Sequence, residues 1–184
     1  MNSENTRQEV QALHLAALTE GMRGVSTVCG AYYAEASAVC LEEQGHGITA
    51  SLQVTGSYAD RFLVIRNEVT DQIRASHGDT ERATENGAYG VSILVVANLT
   101  KLEVIRQSRR GNGFDYALAP IGSFLFREVV RLEITGVRHG DGAEIARRVK
   151  ERRVRFKKFY GPAIPPAIIV VIEFSQPTAH IVKL

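Results

Sequence analysis

Two carboxylates stand in settings that could do chemistry. Asp115 lies in Gly113-Phe114-Asp115-Tyr116, and Glu133 lies in Leu132-Glu133-Ile134-Thr135. Both stretches read as strands, and a separation of 18 residues suits adjacent strands joined by a loop. Carboxylates on neighbouring strands can converge on one Mg²⁺ or Mn²⁺. Such an ion polarises a scissile phosphate and lowers the pKa of an attacking water. Strand alternation leaves a second reading open. It puts Val129, Arg131, Glu133 and Thr135 on one face and Val130, Leu132 and Ile134 on the other. Glu133 would then sit on a solvated face, paired with Arg131.

Basic residues border these strands. Arg147, Arg148, Lys150, Arg152, Arg153, Arg155, Lys157 and Lys158 fall within twelve residues, and Ile145, Val149 and Phe156 supply a narrow apolar stripe for a helix. Such a helix could follow a phosphate chain, with strong salt dependence. It could equally be a solvated face, or dock an acidic protein. The loop Arg106-Gln107-Ser108-Arg109-Arg110-Gly111-Asn112-Gly113 could hold a phosphate, or be a solvated turn. It matches neither a Walker A nor a dinucleotide-binding pattern. Five scattered histidines include no pair at metal-ligand spacing, and no G-x-S-x-G elbow is present.

The elements expected to position these groups begin after a frayed start at residues 1–6. Helices are expected over 7–23 and 31–44. A hairpin follows, from Ile48–Val54 and Arg61–Arg66, and then a short polar helix over 67–76. A helix capped by Asp79 or Thr80 should run to about Asn98, although Val91–Val96 also suits a buried strand. Gly87 and Gly90 weaken that helix and imply close packing. Strands are expected at 101–107, 114–118 and 128–137. A helix over 142–159 follows, ended by Gly161-Pro162, and then the apolar strand 167–174, buried on both faces and stopped by Pro177.

The order helix, strand, strand, strand, helix, strand over residues 80–174 resembles the core of the PD-(D/E)xK, or restriction-endonuclease-like, nuclease superfamily. Its second strand carries an aspartate, often after glycine, and its third carries an acidic residue, any residue, then lysine. The resemblance implies an α/β fold with a restriction-endonuclease-like core (αβββαβ) over 79–184. An N-terminal helical pair and β-hairpin over 1–78 would extend it. It also implies Asp115 and Glu133 as metal ligands and catalytic residues, with Mg or Mn as cofactor. Thr135 occupies the lysine position, and a hydroxyl does not replace an ammonium. The cation would come from Lys150 on the next helix or from Arg131. The family often uses a glutamate of the preceding helix, and nothing in the sequence chooses between Glu81 and Glu85. Arg109, Arg110, Arg147, Arg148 and Arg152 are then the expected nucleic-acid contacts.

Composition bounds these readings. A chain of 184 residues with 45% hydrophobic and 23% charged residues holds a real core, and a net charge of +2 does not by itself indicate nucleic acid. Cys29 and Cys40 form no disulfide framework, and both are expected to behave as small buried hydrophobes. The polar start lacks a signal pattern, and the longest apolar run, Ala167–Ile172, is too short for a bilayer. A reduced, cytoplasmic protein without a membrane segment is expected. It would act on or bind DNA or RNA, with a defence or restriction complex as the expected setting by fold-level analogy. The alternative is an inactive adaptor or homo-oligomerisation module. Its basic helix would dock an acidic partner, and helices 7–23 and 31–44 would form the self-association surface.

Overall fold

The alternation of apolar residues in the Thr49–Gly56 and Asp60–Ile65 stretches, and the unbroken apolar run at Ala167–Ile172, set two kinds of strand. The first kind buries one face and the second buries both. A computed structural model describes residues 10–123 and 129–184. The frayed start expected at 1–6, and the element starts expected at Arg7 and Glu128, lie outside the described residues.

The fold is mixed α/β. In chain order the elements are β1 (Gln11–His14), a 3-10 turn (Leu15–Glu20), α1 (Thr27–Glu43), β2 (Thr49–Gly56), β3 (Asp60–Ile65), α2 (Asp71–Ser76) and α3 (Thr80–Thr100). They continue with β4 (Leu102–Gln107), β5 (Tyr116–Pro120), β6 (Val130–Val137), α4 (Gly142–Tyr160), β7 (Ala167–Glu173) and β8 (Thr178–Lys183). One eight-stranded sheet runs in the order β1-β3-β2-β8-β7-β6-β5-β4. β4, β5 and β6 form an antiparallel meander, β6 and β7 are parallel, and β8 returns antiparallel to β7. The hairpin β2–β3 joins this sheet through the parallel pair β2–β8, so it is continuous with the C-terminal half.

Two expectations are corrected. Within the stretch expected as a helix over 7–23, residues 11–20 are a short strand followed by a 3-10 turn, with Leu13, Leu15 and Leu18 buried in the core. β1 pairs in parallel with β3, so tertiary pairing outweighs the local helical spacing. β8 was not anticipated, because Pro177 reads as a stop. Here the proline sits in the turn between two paired strands. The Val91–Val96 ambiguity resolves as helix, inside α3.

α1 and α3 pack on one sheet face, with Val91, Ile93 and Val95 over Leu118, Leu132, Val170 and Ile172. α4 covers part of the other face, with Val149 and Phe156 over Ile169 and Val171. Asp79 and Asp141 cap α3 and α4 by accepting from the amides of Arg82 and Glu144. The α3 glycines serve close contact. A Cβ at Gly90 would lie 2.5 Å from Ser37 Oγ and 3.0 Å from the Tyr33 carbonyl oxygen. Ser37 Oγ lies 2.7 Å from the Tyr33 carbonyl and 2.9 Å from that of Gly87, which links the two helices. α1 is therefore occupied by α3 within one chain. Cys40 is buried, whereas Cys29 is exposed, contrary to expectation.

At Gly30 a Cβ would fall 1.9 Å from the Leu18 carbonyl oxygen. Gly30→Ala should push α1 off the 3-10 turn and destabilise the protein by about 3 kcal/mol or more, at the upper end of overpacking costs. Urea unfolding checks this; an unchanged midpoint would contradict the packing described.

Candidate functional site

The site grows from a register. Tyr116 pairs with Leu132 at the start of β5, and one further step sets Asp115 opposite Glu133. β5 covers β6 only through Tyr116–Leu118, while β6 continues to Val137 along β7. Past Leu132, β5 therefore leaves one edge of β6 uncovered, and a cleft of about 670 Å³ opens there. Ile134, Thr135, Gly136 and Val137 form its floor. Thr80, Glu81, Thr84 and Glu85 of α3 form one wall, and Glu144, Arg148 and Arg152 of α4 the other. Gly136 lets α3 approach, because a Cβ there would lie 2.4 Å from the Thr84 carbonyl oxygen.

Asp115 closes the uncovered edge locally. Its Oδ2 accepts from the Ile134 amide at 2.7 Å, and its Oδ1 accepts from the Tyr89 hydroxyl at 3.4 Å. The same hydroxyl donates to Glu85 Oε1 at 3.0 Å. Glu85, rather than Glu81, is thereby tied to Asp115, a link that only the packing of α3 reveals.

Glu133 is 2% exposed, so the solvated-face reading does not hold. Both faces of β6 are covered at this position, by α3 and by α4. Its partners are Arg152 Nη1 and Arg155 Nη1, each 3.3 Å from Oε1. Oε2 is buried and has no partner among the described residues. Arg131, the expected partner, turns away. Its guanidinium lies 5.5 Å from the Phe114 ring centroid and 5.0 Å from that of Tyr160.

The cation that joins Glu133 to Thr135 is Arg152. It donates from Nε to Thr135 Oγ1 at 2.8 Å, so the residue at the expected lysine position anchors an arginine of α4. Lys150 lies on the opposite flank of that helix. It lines a separate groove of about 580 Å³ with Arg153, Lys157 and His180. Two residues along a helix is a rotation of about 200°, which explains why Lys150 and Arg152 diverge. Arg147 and Arg148 are bonded to Glu144, and Arg147 also to Glu151. Arg109 and Arg110 are exposed in the turn that leads to Gly113 and Asp115. His139 is exposed at the far end of the cleft.

Burial dominates the titration of both carboxylates. Desolvation raises Asp115, opposed by the Ile134 amide and Arg152. Desolvation and the neighbouring Asp115 raise Glu133 to about 7, opposed by Arg152 and Arg155. The same burial raises the phenols of Tyr33, Tyr89 and Tyr116, which stay protonated donors. Among the described residues no group of three His, Cys, Asp or Glu side chains gathers at metal-holding distance. Two carboxylates with an unpartnered oxygen nevertheless suit Mg²⁺, which is usually held by one or two carboxylates and keeps several waters. No family model, curated protein or solved structure matches the chain, and no described helix is long and apolar enough to cross a membrane.

Because the folded pKa of Glu133 lies above the ordinary 4.5, its contribution to stability is full below pH 4.5 and is lost as pH rises through about 7. In metal-free buffer, unfolding free energy should fall across that window by on the order of 2–3 kcal/mol. Glu133→Gln should flatten that profile. An identical profile in the variant would show that Glu133 does not titrate as its burial requires.

Proposed function

We propose that this chain is a metal-dependent, nuclease-like domain of the PD-(D/E)xK type that acts on or binds nucleic acid. The observation that carries the reading is the Asp115–Glu133 pair. A buried Glu133 and a half-buried Asp115 stand at opposed positions at an uncovered strand edge, with an arginine anchored on Thr135 beside Glu133. The element order α3-β4-β5-β6-α4-β7 is the αβββαβ order that the resemblance requires. Asp115 and Glu133 are the residues that would hold Mg²⁺ or Mn²⁺, with Glu85 linked to them through Tyr89. Such an ion, when bound, supplies charge to polarise a phosphodiester. Arg152 supplies a permanent positive charge at the cleft wall and orients Glu133. Arg148, beside it, offers a second cation to a phosphate entering the cleft. The Ile134 amide holds Asp115 so that its other oxygen turns towards the Tyr89 hydroxyl.

A second reading follows from the ion pairs of Glu133 with Arg152 and Arg155. If these persist in solution, the carboxylate stays neutralised by protein cations. The domain would then bind phosphates without cleaving them, as an adaptor within a larger complex. Defence or restriction assemblies are one setting for either activity, on fold-level analogy.

The deciding experiment is a Mg²⁺ and Mn²⁺ cleavage assay on single- and double-stranded DNA and RNA. Asp115→Asn and Glu133→Gln should each lower cleavage at least about 100-fold, and Arg152→Ala by about tenfold to 100-fold. Cleavage undiminished in Glu133→Gln would remove that residue from the mechanism. No cleavage by the wild type, with salt-sensitive binding intact, would favour the adaptor reading.

A further inference from the structure

Arg148, Arg152, Arg155 and Phe159 follow the spacing i, i+4, i+7, i+11, which places them in one row along α4. The row spans about 16 Å at ~1.5 Å rise per residue. Its first two arginines line the cleft, and the third reaches Glu133. Its last member is an aromatic ring that is 51% exposed. Exposed aromatics on a highly charged helix lose the hydrophobic stabilisation of burial, so a fixed ring in that place needs an account.

The ring is held in place. Gly113, at φ 78, passes directly beneath it, and a Cβ there would meet the Phe159 ring at 3.1 Å. Only glycine satisfies both the backbone conformation and the clearance. Tyr160 lies edge-on to Phe159 with centroids 4.8 Å apart, and its hydroxyl donates to the Asn112 carbonyl at 2.6 Å. Arg131 stacks on the Tyr160 ring from the sheet side. The turn carrying Arg109 and Arg110 is thus stapled to the end of α4, two residues before Asp115.

We infer that this row is a track for single-stranded nucleic acid, with phosphates on the arginines and an unpaired base stacked on Phe159. The inference rests on the nuclease-like reading of the cleft and specifies its substrate class. Arginine charge attracts any phosphodiester chain, duplex included. An aromatic face at the end of the row adds stacking energy only if a base is free to leave its partner, as in single-strand-binding grooves. Arg155, itself half exposed, engages only through Nη1 among the described residues, which leaves other N–H groups of its fork for a phosphate.

The test is binding in EDTA, which separates it from cleavage. Phe159→Trp introduces the chain's sole indole, since the sequence has no tryptophan. Its fluorescence should be quenched, saturably, by a dT or rU 12-mer, and much less by a duplex of the same length. The two homopolymers distinguish DNA from RNA. Phe159→Ala should weaken single-strand binding about tenfold and leave duplex binding nearly unchanged. Arg148→Ala should reduce the salt slope of single-strand binding by about 0.7. Equal affinity for duplex and single strand with no effect of Phe159→Ala, or no quenching and no binding of either, would overturn the proposal. Failure of Mg²⁺-dependent cleavage with single-strand binding intact would leave this track standing and remove only the hydrolytic reading.

Discussion

Setting a buried Glu133 beside a half-buried Asp115 is the constraint around which the C-terminal half is arranged. Each desolvated carboxylate costs several kcal/mol unless it is paired. The pair survives because the backbone and α4 offset that cost from different directions. The Ile134 amide donates to Asp115, and Arg152 and Arg155 reach Glu133. Both offsets need the same register. If β5 slipped by one residue against β6, Asp115 would lose the Ile134 amide, and Tyr116 would leave the core where its hydroxyl meets that of Tyr33 at 2.6 Å. A residue that looks local to the site is therefore fixed by packing between α1 and the sheet.

The same dependence runs through α3. Tyr89 lies edge-on to both Tyr33 and Tyr116, with centroids 5.6 Å apart in each pair. This geometry suits the quadrupoles of the rings. It aims the Tyr89 hydroxyl at Glu85 and Asp115 together. α3 can supply this only because Gly87 and Gly90 let α1 lie against it, and because Gly136 lets its N-terminal half cross the uncovered edge of β6. Gly87 and Gly90 thus seat α3 on α1, and Gly136 seats its N-terminal half at the cleft.

Much of this was legible in the sequence where local and tertiary preferences agree. β7 is apolar from Ala167 to Ile172 and buried throughout; α4 carries its cap, its stripe and its stop; Asp115 and Glu133 sit at strand-pair spacing. The misses have physical causes. Residues 11–20 carry helical spacing, yet the edge of β3 recruits 11–14 as a strand and leaves 15–20 as a 3-10 turn. β8 was obscured by a proline that lies in its turn. A solvated Glu133 stayed open as an alternative because alternation tells which residues share a face, not what covers that face. The choice of Glu85 over Glu81 was invisible because it depends on the hydroxyl of Tyr89, on the same helix, meeting Asp115 on β5.

The position of the cation beside Thr135 depends on how α4 is seated. Where the resemblance expects a lysine on β6, Thr135 offers a hydroxyl, and Arg152 comes to it from α4. Arginine suits this relocation better than lysine. Its planar fork can donate to Thr135 through Nε and approach Glu133 through Nη1 at once, and burial does not readily strip its charge. The relocation holds only at one rotation of α4. Val149 and Phe156, seven residues apart and buried, set that rotation, and Asp141 sets where the helix begins. Lys150, two positions earlier than Arg152, faces another groove altogether. The charge that serves Glu133 is thus specified by the apolar stripe of α4, not by the abundance of basic residues around it.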